Sequence, residues 1–118
     1  MNKKDPSIFL KHILESVSDI ESYSEGISKN IFFEDKQLQD AIVRRVEIIG
    51  EAVKNIPDDV KNKYADVPWK EITGTRDIFV HQYFGVDLEI VWSIVKKDLP
   101  DLKNKIKNIL DDLEKDKV

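Results

Sequence analysis

Apolar residues recur at helical spacing along most of the chain. Phe9, Ile13, Val17 and Ile20, with Leu10 and Leu14 beside them, trace one face of a first helix. Asp5-Pro6 opens it, because aspartate can cap the free amides and proline tolerates the first helical position. The pattern weakens near Gly26. Ser28–Asp35 reads as a connection whose Ile31, Phe32 and Phe33 pack back onto the first helix. A second stripe, Leu38, Ile42, Ile49, Ala52, Val53 and Ile56, predicts a helix from about Glu34 to Asn55. Pro57-Asp58-Asp59 ends it and begins a short turn toward Tyr64. Pro68 opens a third long helix that Gly85 closes. Asp87 caps the next, whose apolar side is Leu88, Val91, Trp92 and Val95. Leu99-Pro100 predicts a kink or a break, after which Leu102, Ile106, Ile109, Leu110 and Leu113 continue a narrow stripe. No strand pattern or internal repeat interrupts this series. The expected fold is all-α, an antiparallel bundle of four or five helices in a single domain over residues 1–118.

Composition narrows the function classes. The 118 residues suffice for one modest core, and 41% hydrophobic with 36% charged residues suits a soluble helical chain. The absence of cysteine excludes disulfides, zinc–thiolate and iron–sulfur sites, and a cysteine nucleophile. A net charge of −4 argues against a broad basic surface for nucleic acid, while leaving room for an enzyme that touches a few phosphates. Lys11, His12 and Glu15 interrupt the N-terminal segment, which lacks the apolar run of a signal peptide. No stretch approaches the roughly 18 apolar residues of a membrane span. The cytoplasm is the expected compartment.

Candidate chemistry concentrates in GTRDIFVHQYFGVD, Gly74 to Asp87. It holds Arg76, the only arginine outside the Arg44-Arg45 pair, and His81, one of two histidines, with Tyr83 two residues on. On a helical wheel Arg76 falls among Trp69, Ile72, Phe79, Val80 and Tyr83. His81 lies about 140° round from Arg76, sharing its side with Gly74 and Ile78. An apolar residue and a glycine opposite the core stripe suggest a second packed surface, which a twofold dimer would supply. Two copies converging on one cleft would assemble two histidines and two arginines. That set suits metal-independent RNA cleavage: an imidazole takes the ribose 2′-hydroxyl proton and guanidinium groups stabilise charge on phosphorus. Spacing alone favours a paired structural arginine, a histidine capping the helix C-terminus and a core tyrosine. Arg45 falls inside the apolar stripe of the second helix and admits two readings, a paired or snorkelling structural arginine, or a phosphate contact or brace for the site. His12 reads as a solvated residue. The two histidines and scattered carboxylates show no metal-ligand spacing, so no metal or cofactor is expected.

The string Arg76-Asp77-Ile78-Phe79-Val80-His81-Gln82-Tyr83 matches the R-x4-H-x-Y motif of the HEPN superfamily and resembles the HepT-type toxins most closely. DAIVRRVEIIGEAVKNIP, PWKEITGTRDIFVHQYFGVDLEIVW and KKDLPDLKNKI resemble the same family, so the likeness covers nearly the whole chain. The resemblance implies an all-helical homodimer with its site in the interface cleft. It implies a metal-independent endoribonuclease acting as the toxin of a type VII-like toxin–antitoxin pair. The implied partners are RNA and an MntA-like nucleotidyltransferase antitoxin that transfers AMP to the motif tyrosine. Arg76 and His81 carry over as the catalytic pair and Tyr83 as the modification site. The charge of Asp77 is placed to orient either of the pair. A non-catalytic helical dimer, presenting a substrate or holding a nucleotide for a nucleotidyltransferase, is the competing reading.

Overall fold

The computed structural model describes residues 5–81 and 87–116, with backbone alone for 78–81 and 116. Its helices are α1 (Pro6–Ser24), α2 (Lys29–Glu34), α3 (Lys36–Lys54), α4 (Asp58–Lys63), α5 (Trp69–His81), α6 (Leu88–Ser93) and α7 (Leu99–Asp116). A π-helical turn, Ile94–Asp98, joins α6 to α7. Among the described residues there is no strand, and no helix is long and apolar enough to cross a membrane. The all-α expectation holds.

Short polar side chains start the helices where the sequence places them. Asp5 Oδ1 accepts from the Ser7 amide at 2.9 Å, with Pro6 in the first turn. Asp35 accepts from the Leu38 amide at 3.0 Å, and Asp87 from the Glu89 amide at 2.9 Å. The segment read as a connection does more than link. Ser28 caps the six-residue α2, which seats Phe32, fully buried, against Phe33 and Trp92. A helix this short spans less than two turns, too few for periodicity to register.

Leu10, Ile13, Val17 and Ile20 of α1 meet Ile42, Ile49 and Val53 of α3 and Ile106 and Ile109 of α7 in one core. Charge pairs fix how the helices lie. Asp19, late in α1, pairs with Arg45, midway along α3, while Phe9 and His12 lie beside Ile48 to Asn55. These two helices therefore run antiparallel. Lys103, early in α7, donates to Glu21 near the end of α1 at 2.9 Å, which makes that pair antiparallel too.

Pro100 does not break the last helix. In a regular α-helix its ring would meet the carbonyl of Lys96, four residues back. The chain instead widens by one residue per turn, and the Leu99 amide reaches the Ile94 carbonyl. Of the two expectations, a kink or a break, the break is absent: the helix continues through Pro100.

Candidate active site

Two hydrogen bonds tie down the start of α5. Trp69, 8% exposed, donates its indole N–H to the Tyr64 carbonyl at 3.1 Å. The Tyr64 hydroxyl in turn meets Asp112 of α7 at 3.0 Å. Thr73 and Thr75 turn their hydroxyls back onto the Trp69 and Glu71 carbonyls, so neither competes for the helix's partners outside. Trp69, Ile72 and Arg76 then follow one another at three- and four-residue steps on the side that packs against α3.

Gly50 lets an arginine occupy that packed face. A Cβ at position 50 would lie 2.3 Å from Arg76 Cβ and 2.6 Å from its Cγ. The stem of Arg76 therefore occupies the space a side chain on α3 would need. From there the guanidinium emerges between two carboxylates. Nη2 forms an ion pair with Glu51 Oε2 at 2.9 Å, and Nη1 donates to Asp77 Oδ1 at 3.1 Å. Lys54 meets the same Asp77 oxygen at 3.4 Å. Arg76 Nε is buried without a hydrogen-bond partner among the described residues. A guanidinium has five N–H donors, and among the described residues Nη1 and Nη2 each meet a carboxylate.

The charge pattern settles what Asp77 can do. Hydrogen bonding from Arg76, then from Lys54, outweighs partial desolvation and holds its carboxyl below the ordinary 3.8. Near neutral pH Asp77 is an anion that accepts hydrogen bonds. It orients Arg76 and has no proton to give.

A cleft of about 290 Å³ opens beside this group, lined by Phe9 and His12 of α1, Arg44, Glu47, Ile48, Glu51 and Ala52 of α3, Asn55, and Arg76. His12 is exposed, as expected of a solvated residue, but it shares this cleft with Arg76. Arg45 points elsewhere. It pairs with Asp19 at 3.5 Å between α1 and α3, the geometry of a structural arginine, while its neighbour Arg44 faces the cleft. Gly74 is exposed, with nothing within 4 Å of where a Cβ would stand. The backbone of His81 ends α5, but its side chain lies outside the described residues, as does Tyr83. Among the described residues no group of three His, Asp or Glu is placed to hold a metal ion.

Sequence reading missed Glu51, Lys54 and Gly50. The first two are ordinary members of a charged helix face, and their roles depend on what α5 brings to them. Gly50 did carry a signal. A glycine inside a helix costs about 1 kcal/mol against alanine, which asks for a packing reason.

Comparison with known proteins finds relatives along most of the chain. A family model described as "Ribonuclease HepT-like" matches residues 13–109. A Methanocaldococcus jannaschii protein, named as a gamma-glutamylcyclotransferase and candidate RNase, is 50% identical over 115 residues. That alignment covers 98% of this chain and 52% of the relative, so the chain spans about half of that protein's length. A candidate RNase of Caldanaerobacter subterraneus subsp. tengcongensis is 45% identical over 107 residues, covering 91% of this chain and 96% of that one. A candidate ribonuclease HepT of Thermococcus cleftensis is 41% identical over 107 residues, covering 91% and 97%. No solved structure matches the chain significantly.

Proposed function

As a member of the ribonuclease HepT-like family the chain is a ribonuclease, and we propose that it cuts RNA internally, without a metal, using Arg76 and His81 at a cleft between two copies of itself. The observation that carries this reading is the state of Arg76. Its stem is locked against Gly50, two carboxylates meet its fork, and among the described residues its buried Nε has no hydrogen-bond partner. That is a preorganised site for phosphate oxygens, and preorganisation is what lets a guanidinium stabilise a transition state without rearranging first.

His81 would act as the base. The imidazole accepts the 2′-hydroxyl proton as the 2′-oxygen bonds to phosphorus. The bond from phosphorus to the 5′-oxygen then breaks, and an imidazolium or water returns a proton to the leaving oxygen. The products are a 2′,3′-cyclic phosphate and a 5′-hydroxyl. Arg76 carries the charge that builds on the nonbridging oxygens. On a regular helix the two side chains diverge by about 140°, which favours a pair drawn from two copies. The cleft of about 500 Å³ between α3, α5 and α7, with Val46, Ile49, Ile72 and Leu102 in its walls, offers apolar surface for such a contact. Purified protein incubated with RNA and excess EDTA should give fragments ending in 2′,3′-cyclic phosphate. Cleavage that stops with the chelator, or ends in 3′-hydroxyl groups, would overturn the mechanism.

The same reading makes the chain the toxin of a toxin–antitoxin pair, silenced by a nucleotidyltransferase. The Tyr83 hydroxyl would attack the α-phosphorus of ATP, releasing pyrophosphate and leaving AMP on the ring oxygen. A bulky anion two residues from His81 would compete for the charge that RNA phosphate needs. Tyr83→Phe should therefore keep arresting growth when the antitoxin is co-expressed, whereas the wild type is silenced. Silencing of the variant would mean that the antitoxin acts by binding alone.

A further inference from the structure

The cleft beside Arg76 contains more than phosphate chemistry requires. The Phe9 and His12 rings stand edge to face, centroids 6.5 Å apart and planes at 89°, so they form a right-angled corner. Arg44 and Arg76 line it together with Glu47 and Glu51, each arginine paired with one of the glutamates, and these charges cancel. A pocket meant only for phosphate would be cationic. This one suits a flat, uncharged, polar ligand, and its volume of about 290 Å³ sits at the lower end of the roughly 300–1,000 Å³ range of small-ligand sites.

Beside the two arginines, Glu51 and Asn55 contribute acceptors to the wall. Glu51 Oε2 is taken by Arg76, which leaves Oε1. The Asn55 side-chain amide donates to the Glu51 carbonyl at 3.0 Å, leaving its own oxygen to accept. Arg44 makes one long contact with Glu47, at 3.5 Å, with its side chain 70% exposed, and is free to swing.

We propose that this cleft is a nucleobase subsite, in which the base next to the scissile phosphate of single-stranded RNA stacks in the Phe9–His12 corner and presents its edge to Glu51 and Asn55. Single-stranded RNA is recognised in this way, by aromatic stacking and by hydrogen bonds to exposed base edges. The free acceptors of Glu51 and Asn55 select an edge rich in donors. Guanine offers N1–H beside its 2-amino group, whereas uracil offers one N–H between two carbonyls, so the subsite favours guanine over uracil. Arg44 is within the same cleft to hold the adjoining phosphate. The proposal rests on the ribonuclease reading and adds to it the residues that choose the sequence.

The test uses fluorescein-labelled RNA hexamers with 2′-O-methyl ribose throughout, which bind but cannot be cut by a 2′-oxygen. One contains a central guanine and the other is all uracil. Wild-type protein should bind the first at least about fivefold more tightly by anisotropy. Phe9→Leu and His12→Ala should each weaken guanine binding by roughly five- to twentyfold and shrink the preference. Dimer mass and melting temperature should stay near wild type. His12 is exposed, so its variant remains informative if Phe9→Leu folds poorly. Folded variants that bind both hexamers like wild type would overturn the subsite, as would variants that lose the dimer and keep their RNA affinity. If wild type cleaves RNA while the variants are indifferent, only the subsite fails. If wild type neither binds nor cleaves RNA, the ribonuclease reading fails and takes the subsite with it.

Discussion

Replacing His81 with alanine is expected to lower RNA cleavage by at least about 10³-fold while leaving the helical content, melting temperature and oligomeric mass unchanged. General acid–base catalysis alone contributes roughly 10²–10⁴-fold, and in the proposed cleft between two copies the substitution would remove both imidazoles together. Arg76→Ala should cost about 10²–10³-fold, the range for removing one preorganised donor group. Its ion pairs with Glu51 and Asp77 are partly exposed, so their loss should change stability by less than about 1 kcal/mol. Arg76→Lys separates charge from shape. A lysine retains the positive charge but presents a point in place of a fork, and should recover only part of the rate. Cleavage is followed as cyclic-phosphate ends formed under single turnover, alongside growth arrest on induced expression. A His81→Ala protein that cleaves within tenfold of wild type would remove His81 from the mechanism. Arrest that persists without new RNA ends would point instead to a chain that acts by binding a partner.

Much of this framework was legible before any coordinates. Caps at Asp5 and Asp87 and the stripes of α1, α3 and α7 are local patterns, decided by residues within a turn or two of each other. The wheel also placed Arg76 on the apolar side of α5, and it lies there, against α3. What stayed hidden depends on distant partners. Arg45 meets Asp19 across two helices, and no spacing rule links two residues so far apart. His12 looks solvated on its own helix and is exposed, yet the antiparallel packing of α1 on α3 sets it beside Arg76. Pro100 marked a disturbed turn correctly, but a proline can be accommodated by kinking, breaking or widening a helix. Only the full chain decides among these, and here it widens.

The other large effect comes from Gly50. Alanine normally stabilises a helix by about 1 kcal/mol over glycine, so propensity alone would make Gly50→Ala favourable. Packing opposes it. The new methyl would sit 2.3 Å from Arg76 Cβ, and both carbons are fixed to their backbones, so no rotamer change separates them. α3 and α5 must move apart instead. Overpacking of this kind costs roughly 1–3 kcal/mol and sometimes more, which outweighs the gain. The expected result is a melting temperature lower by roughly 5–10 °C, with cleavage reduced even well below the transition, because the shift carries Arg76 away from Glu51. Gly74→Ala is the matched control. It changes the same residue type in the neighbouring helix, where a Cβ meets nothing within 4 Å, and it should stabilise. A double-mutant cycle identifies the cause. In an Arg76→Gly background the atoms that collide are gone, so Gly50→Ala should lose its penalty, whereas Arg76→Ala retains the Cβ and should not relieve it. Equal penalties in all three backgrounds would show that Gly50 serves some need of α3 other than the approach of Arg76.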